Sequence, residues 1–269
     1  MDENEAFEKL KEKIHTERGL DVSQYKENYL KRRIAVRTRA LQINTYAGYI
    51  EFLEKNKNEY NELFDRLTIN VTQFFRDPEV FIELENTILP EILENKARLK
   101  NSLKIWSAGC STGEEPYSVA ISIEETLTRM NLKIPYKIYA TDLDESALKA
   151  AKEGIYQEKT MENMAQIRKS KYFSYNNGKY IISNYIKDNI KFINMNLMEP
   201  FLEKFFDIIL CRNVIIYFTR ELQKRVMKFF YDSLAKNGIL ILGKTETMLI
   251  DFRTLFQCIN IKERIFKKS

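Results

Sequence analysis

Histidine and cysteine are scarce in this sequence of 269 residues, and their scarcity excludes several kinds of site. His15 is the only histidine and lies in a charged segment, so histidine-dependent catalysis and histidine-rich metal sites have no candidate residues. The three cysteines, Cys110, Cys211 and Cys258, are scattered and form neither a disulfide framework nor a Cys-x-x-Cys motif. We therefore expect a protein that uses no metal ion.

Long apolar runs are also missing from the sequence. No run approaches the ~18 residues that a membrane-spanning helix needs, and the acidic start, Met1–Glu5, is unlike a secretory signal. Hydrophobic residues nevertheless make up 44% of the chain, which is enough for a real core. We expect a globular, cytoplasmic protein without membrane insertion, built as one large domain or as a core with a smaller appendage.

The first 85 residues predict a helical domain with a basic surface. Apolar residues recur there at helical spacing, as Phe7, Leu10 and Ile14 do. Between residues 25 and 40, six basic residues accompany one acid, so this segment alone can account for the net charge of +5. It is either a solvated surface or a docking face for nucleic acid or an acidic protein. The residues we assign to this face are Lys26, Arg32, Arg33, Arg37 and Arg39.

A stretch that contains Gly109 and Gly113 predicts a nucleoside-binding corner. An apolar run precedes the two glycines, and Pro116 stands near the first position of a following helix. Phosphate loops carry Gly-Lys-Ser/Thr and dinucleotide loops carry Gly-x-Gly-x-x-Gly, but here two glutamates follow the second glycine. Two carboxylates repel a pyrophosphate and suit an ammonium group or ribose hydroxyls. S-adenosylmethionine, which has both and no phosphate, is the cofactor that fits best.

From residue 103 onward, predicted strands alternate with predicted helices, which is the pattern of a Rossmann-like fold. The second strand ends in Asp142, where such folds place the carboxylate that binds a ribose. We assign Asp144 to the cap of the next helix. A segment over about 157–190 interrupts the alternation and predicts a small antiparallel insert with an Asn-Asn-Gly turn. The segment 256–266 predicts an antiparallel edge pair.

Four segments of the sequence resemble, in order and spacing, the motifs of the CheR family, the chemotaxis receptor glutamate O-methyltransferases. The segments are NVTQFFR at 70–76, STGEEPYS at 111–118, ATDLD at 140–144 and CRNVIIYF at 211–218. The resemblance implies an α/β fold, with a Rossmann-like class I methyltransferase domain and a mostly parallel seven-stranded sheet. This domain would span 86–269 and contain the antiparallel insert, and an all-helical domain with its linker would span 1–85.

The resemblance also implies a reaction, a partner and a cofactor site. The family transfers a methyl group from S-adenosylmethionine to glutamate side chains of the receptors' cytoplasmic helical bundle. The products are glutamyl methyl esters and S-adenosylhomocysteine. The basic face would then dock the receptor, and we expect a monomer that does not bind nucleic acid. The cofactor residues implied are Asn70, Thr72, Arg76, Glu115, Asp142, Asn196, Leu197, Cys211 and Arg212.

The absence of a catalytic histidine is compatible with this reaction. A glutamate side chain, with a pKa of about 4.3, is already ionised at neutral pH and needs no general base. The protein has to place one carboxylate oxygen in line with the methyl group, in a dry site. We assign this task to Arg76 and Arg212, because a guanidinium group can fix a carboxylate, and we expect Tyr217 to help orient the acceptor. Either arginine could instead bind the carboxylate of the cofactor.

Two alternative functions stay open. The basic face also suits a methyltransferase of nucleic acid, although enzymes that methylate base amines commonly carry Asn/Asp-Pro-Pro-Tyr/Phe where this chain has Arg212, Asn213 and Val214. A non-catalytic module that senses S-adenosylmethionine and binds receptors is the other alternative. The presence of Arg76, Arg212 and Tyr217 beside the cofactor residues is evidence against it. A dehydrogenase is disfavoured by the missing third glycine of the loop and by the two glutamates that follow the second glycine.

Overall fold

The computed structural model describes residues 2–68, 72–197, 199 and 201–269. Its contacts divide the chain into two units. The first unit contains Met1–Asn70 and Tyr217–Gln223, and the second contains Val71–Ile216 and Lys224–Ser269. The division falls at residue 70 and not at 85, because aromatic residues of the expected linker, such as Phe75, belong to the core of the second unit. Within the described residues, no helix is long and apolar enough to cross a membrane.

Four α-helices make up most of the first unit. They are α1 (Glu3–Arg18), α2 (Glu27–Ala40), α3 (Tyr46–Lys55) and α4 (Glu59–Leu67). Helix α1 begins after Asp2, whose carboxylate accepts hydrogen bonds from the first free N–H groups, and ends at Gly19 in the left-handed region. Its predicted apolar face is confirmed, because Phe7, Leu10 and Ile14 are buried. This unit is therefore the predicted helical domain.

A seven-stranded sheet lies at the centre of the second unit, as predicted. Its strands are β1 (Leu103–Ala108), β2 (Tyr136–Asp142), β6 (Ile190–Asn194), β7 (Phe206–Cys211), β8 (Leu234–Leu242), β9 (Phe256–Asn260) and β10 (Ile265–Lys268). The spatial order is β6-β2-β1-β7-β8-β10-β9, and the first five strands are parallel. The expected antiparallel edge pair is formed by β9 and β10. Ligands of such sheets bind at the carboxyl ends of the strands, where the strand order reverses, and here that point is β1.

The remaining helices belong wholly or mostly to the second unit. They are α5 (Pro78–Glu83), α6 (Leu89–Leu99), α7 (Glu114–Met130), α8 (Glu145–Glu153), α9 (Gln166–Tyr172), α10 (Asn184–Lys187) and α11 (Arg220–Ser233). Strand residues Ile105, Ile138 and Leu210 are fully buried in the core, together with Tyr117 and Ile121 of α7. Helix α7 begins directly after the glycine loop, so its packing determines where that loop lies.

The predicted antiparallel insert is a three-stranded sheet. Its strands are β3 (Ile155–Gln157), β4 (Phe173–Asn176) and β5 (Lys179–Ile182), in the order β3-β5-β4. The turn between β4 and β5 places Asn177 and Gly178 at φ values of 48° and 77°, which is the type I′ geometry that such hairpins prefer. The insert and its Asn-Asn-Gly turn are therefore confirmed.

Candidate active site

The loop between β1 and α7 contains two glycines in the left-handed region, Gly109 at φ 81° and Gly113 at φ 95°. The N–H groups of Gly109 and Cys110 both donate to the carbonyl oxygen of Thr141, at 2.8 and 3.0 Å. A Cβ atom on Gly109 would lie 2.4 Å from Cγ2 of Val214. The loop therefore needs glycine to approach both the end of β2 and the loop after β7.

Asp142 ends β2 and faces the glycine loop. Its Oδ2 accepts the N–H of Ser111 at 2.7 Å, and its Oδ1 accepts the N–H of Asp144 at 3.0 Å. Burial raises the pKa of Asp142. Each oxygen keeps a further lone pair, so the carboxylate can still accept from ribose hydroxyls. Asp144 caps α8 as predicted, because it accepts the N–H groups of Ser146 and Ala147.

The two glutamates that begin α7 lie in different environments. Oε1 of Glu115 accepts from the hydroxyl of Ser107 at 2.7 Å, and Oε2 accepts from Nη1 of Arg212 at 3.3 Å. Its side chain is 13% exposed, so a ligand can reach it. Glu114 is buried, accepts from the Thr112 hydroxyl at 2.6 Å, and has a pKa raised by burial. Glu114 therefore shapes the loop, whereas Glu115 can bind a ligand.

Arg212 follows β7 and joins three parts of the site. Its Nη2 donates to Oδ2 of Asp77 at 2.6 Å and to the carbonyl oxygen of Arg76 at 2.8 Å, while Nη1 reaches Glu115. The Arg212 side chain is only 2% exposed. An incoming carboxylate would have to displace these existing acceptors, which is costly for a buried charge. The Arg76 residue is partly exposed.

A carboxylate that the sequence did not indicate holds the loop after β7. Glu246 is 2% exposed and accepts four backbone N–H groups. Its Oε1 accepts from Val214 and Ile215, both at 2.9 Å, and its Oε2 accepts from Asn213 at 3.0 Å and Gly243 at 2.6 Å. Burial raises the pKa of Glu246, and the N–H donors oppose that shift. In the sequence, a single glutamate shortly after a strand looks like an ordinary surface acid.

The other predicted cofactor residues lie near the carboxyl ends of the strands or in the segment before α5. Thr72 is partly exposed, and so are Asn196 and Leu197, which follow β6. Cys211 is fully buried at the end of β7, and burial raises the pKa of its thiol well above the usual range. Only its backbone can therefore contact a ligand. Asn70 lies outside the described residues.

Tyr217 belongs to the helical unit. Its ring stacks on that of Tyr29 in α2, with the ring centroids 4.6 Å apart. Its carbonyl oxygen accepts the N–H of Lys26 at 2.8 Å. The structure thus brings Arg76, Arg212 and Glu115 together in the second unit, whereas the described contacts of Tyr217 lie in the first.

The basic residues of the α2 segment differ in their surroundings. Lys26, Arg32 and Arg39 are exposed. Arg33 is partly exposed, and its Cζ lies 5.5 Å from the centroid of the Tyr29 ring. These four residues can form a charged surface of the helical unit.

Arg37 does not share this exposure. Its Nε and Nη2 donate to the two carboxylate oxygens of Glu59 at 2.8 and 2.6 Å, and its side chain is 13% exposed. The hydroxyl of Tyr49 donates to the same carboxylate at 2.8 Å. Arg37 therefore stabilises the interior of the unit by linking α2 to α4, and the expectation that it belongs to the docking face is corrected.

The site residues fit S-adenosylmethionine better than a phosphate-bearing cofactor. The N–H groups of Gly109, Cys110 and Ser111 all donate to acceptors of the protein, so they do not form a cradle for phosphate oxygens. Glu115 and Asp142 instead offer carboxylate oxygens, which suit an ammonium group and ribose hydroxyls. Within the part of the chain that the structure describes, no group of three or more His, Cys, Asp or Glu could hold a metal ion.

Comparisons with known proteins agree with this site. Residues 70–265 match the family description "CheR methyltransferase, SAM binding domain", and residues 5–68 match "CheR methyltransferase, all-alpha domain". A chemotaxis protein methyltransferase of Borreliella burgdorferi is 35% identical over 242 residues, covering 87% of this chain and 85% of that protein. A chemotaxis protein methyltransferase of Listeria innocua is 38% identical over 232 residues, covering 86% of both.

Among solved structures, the magnesium protoporphyrin IX methyltransferase of Synechocystis with bound SAM is 16% identical. The match covers 77% of this chain and 89% of that one, with a TM-score of 0.35. The fold, the site and the family matches define a Rossmann-like, S-adenosylmethionine-dependent methyltransferase. The chain belongs to the CheR family of chemotaxis methyltransferases.

Proposed function

We propose that this methyltransferase acts on glutamate side chains of chemotaxis receptors and converts them to methyl esters. The observation that carries the proposal is the partly exposed Arg76 beside the buried Arg212, in a unit that contains no histidine. The only histidine, His15, lies in α1 of the other unit. An ionised carboxylate is the acceptor that needs a guanidinium group and no general base.

The roles of the residues follow from the charges in the reaction. When bound, S-adenosylmethionine supplies an electrophilic methyl group on a sulfonium sulfur. Asp142 and Glu115 would hold the ribose hydroxyls and the ammonium group. Arg76 would hold one oxygen of the acceptor carboxylate and leave the other free and oriented toward the methyl donor. No proton has to move, because the acceptor arrives ionised and the products are an ester and a thioether.

Arg212 has a different role in this proposal. Its guanidinium group connects Asp77 and Glu115, so it positions the cofactor-binding carboxylate and the segment that carries Arg76. We propose that Tyr217 orients the acceptor. This role is supported by the match of residues 211–218 to the family motif. Asn70, Thr72, Asn196, Leu197 and the backbone of Cys211 complete the proposed cofactor site.

The test of this proposal is the substitution Arg76→Ala. If Arg76 holds the acceptor, the kcat of methyl transfer should fall by about a hundredfold, while the Kd of S-adenosylhomocysteine should change little. Steady-state kinetics with a receptor cytoplasmic fragment and calorimetric titration with S-adenosylhomocysteine measure the two effects. Arg253→Ala, at an exposed arginine of the same unit, serves as the control. Equal losses in kcat and cofactor affinity would assign Arg76 to the cofactor.

A further inference from the structure

Four backbone N–H groups from two separate loops converge on the buried carboxylate of Glu246. Three of them belong to the successive residues Asn213, Val214 and Ile215, and the fourth belongs to Gly243, which follows β8. A carboxylate with four such partners is fully satisfied without any cation. It also fixes the backbone of the loop after β7, because three consecutive N–H groups must point at the same group.

The loop that Glu246 holds has a backbone shape that needs support. Asn213 is at φ 61°, in the left-handed region, which asparagine adopts more readily than most residues but which still costs free energy relative to the usual backbone regions. A Cβ atom on Gly243 would lie 2.7 Å from the nitrogen of Asn213 and 2.8 Å from Oε2 of Glu246. The close approach of the two loops therefore depends on glycine at 243 as well as on the carboxylate.

Arg212 immediately precedes this loop. Its guanidinium group reaches Asp77 and Glu115 from a backbone whose next three residues are bonded to Glu246. A shift of the loop would move the guanidinium group, and the Oε2 atom of Glu115 would lose its partner at 3.3 Å. The carboxylate is thus coupled to the site through the backbone and Arg212.

We infer that Glu246 is a positioning residue of the cofactor site: it fixes residues 213–215 so that Arg212 keeps Glu115 placed for the ligand. This inference rests on the proposed function only in placing Arg212 and Glu115 at the cofactor. The methyl acceptor does not enter it. A binding measurement with S-adenosylhomocysteine alone can therefore test the inference separately from the glutamate assignment.

The first test is Glu246→Gln. The amide replaces one oxygen by an NH₂ group, which faces backbone N–H donors and leaves them without an acceptor. We expect S-adenosylhomocysteine to bind this variant about tenfold more weakly than the wild type. Calorimetry measures the affinity, at a temperature where circular dichroism shows that the variant is folded. Wild-type affinity in this variant would overturn the inference.

Glu263→Gln is the matched control. Glu263 is also buried in the second unit, and its partner Lys244 lies 3.5 Å away. The substitution removes the same charge from a buried carboxylate of the same unit, but neither oxygen of Glu263 accepts a hydrogen bond, so no loop loses its partner. We expect the control to bind S-adenosylhomocysteine like the wild type. Equal weakening in the two variants would mean that the loss of a buried charge weakens binding, and not the loss of the hydrogen bonds to residues 213–215, and would overturn the inference.

Two further variants keep the test decisive. Gly243→Ala places a Cβ atom too close to Oε2 of Glu246 without changing any charge. This variant should weaken S-adenosylhomocysteine binding even if Glu246→Gln does not fold. In an Arg212→Met background, adding Glu246→Gln should weaken binding less than twofold, because Glu246 acts through Arg212. Additive losses would contradict that route and overturn the inference.

Discussion

Arg37 and Arg39 are two residues apart and look equivalent in the sequence, but their side chains have different surroundings in the structure. Arg37 forms a bidentate ion pair with Glu59, which is only 6% exposed, whereas Arg39 is exposed. The helical spacing of apolar residues over the first 85 residues predicted buried helix faces, and Leu30 and Ile34 of α2 are indeed buried. It could not predict Arg37, because burial of that side chain depends on the position of Glu59 in α4.

The different roles of these arginines predict different effects on stability. Arg37→Ala leaves the buried Glu59 without its cation, and should lower the free energy of unfolding by about 3 kcal/mol. Arg39→Ala should change it by less than about 0.5 kcal/mol. Urea unfolding followed by circular dichroism measures both variants. Similar effects of the two substitutions would show that the ion pair with Glu59 contributes nothing specific.

Asp142 predicts a pH dependence of cofactor binding. Because burial raises its pKa, Asp142 takes up a proton at a higher pH than an ordinary aspartate does. Protonation removes the negative charge that favours ribose hydroxyls, so the affinity for S-adenosylhomocysteine should fall on acidification. Asp142→Asn should bind more weakly near neutral pH and should lose part of this pH dependence. Calorimetric titrations of the wild type and of Asp142→Asn at several pH values test this prediction. Identical pH profiles of the two proteins would contradict the assignment of Asp142 to the ribose hydroxyls.

At the scale of elements, the sequence predicted those features that depend on local pattern. The strand before Gly109, the acid at the end of β2, the cap at Asp144 and the hairpin turn of the insert all follow from short-range rules. Glu246 could not be predicted, since its role arises from two loops that are about 30 residues apart in the chain and close in the fold.

The glycine loop predicts a contrast between two glycine substitutions. Gly109 and Gly178 both have positive φ values, but a Cβ atom would meet Val214 at the first site and nothing within 4 Å at the second. Gly178→Ala should lower the free energy of unfolding by about 1 kcal/mol, from backbone strain alone. Gly109→Ala should lower it further and should also weaken S-adenosylhomocysteine binding. Denaturant unfolding and calorimetry test this contrast, and equal effects would contradict the close approach.

At the scale of the whole molecule, the chain combines a helical unit and a methyltransferase unit, and both were predicted. The contacts divide the chain at residue 70, and Phe74 and Phe75, which the sequence analysis assigned to the linker, are buried in the larger unit. We propose that the helical unit docks the receptor through Lys26, Arg32, Arg33 and Arg39, on acidic side chains of the helical bundle. A protein acceptor, and not nucleic acid, is the partner we propose.

The docking proposal predicts a charge effect on substrate binding. Arg32→Glu combined with Arg39→Glu should raise the KM for a receptor fragment by about tenfold at low salt, and the Kd of S-adenosylhomocysteine should stay unchanged. Lys9→Glu combined with Lys55→Glu, at exposed positions of α1 and α3, is the control for the same change of net charge. If the control variant raises the KM as much, the effect is one of net charge and the docking face is wrong.

We propose that the methyl group is transferred to a glutamate carboxylate of a receptor. The most direct measurement incubates the protein with methyl-labelled S-adenosylmethionine and a receptor cytoplasmic fragment, and then treats the isolated fragment with mild alkali. We expect the label to be released as methanol, as carboxyl methyl esters release it, and we expect nucleic acid added in place of the fragment to take up none. Label that stays on the fragment in alkali, or that appears on nucleic acid instead, would contradict the claim.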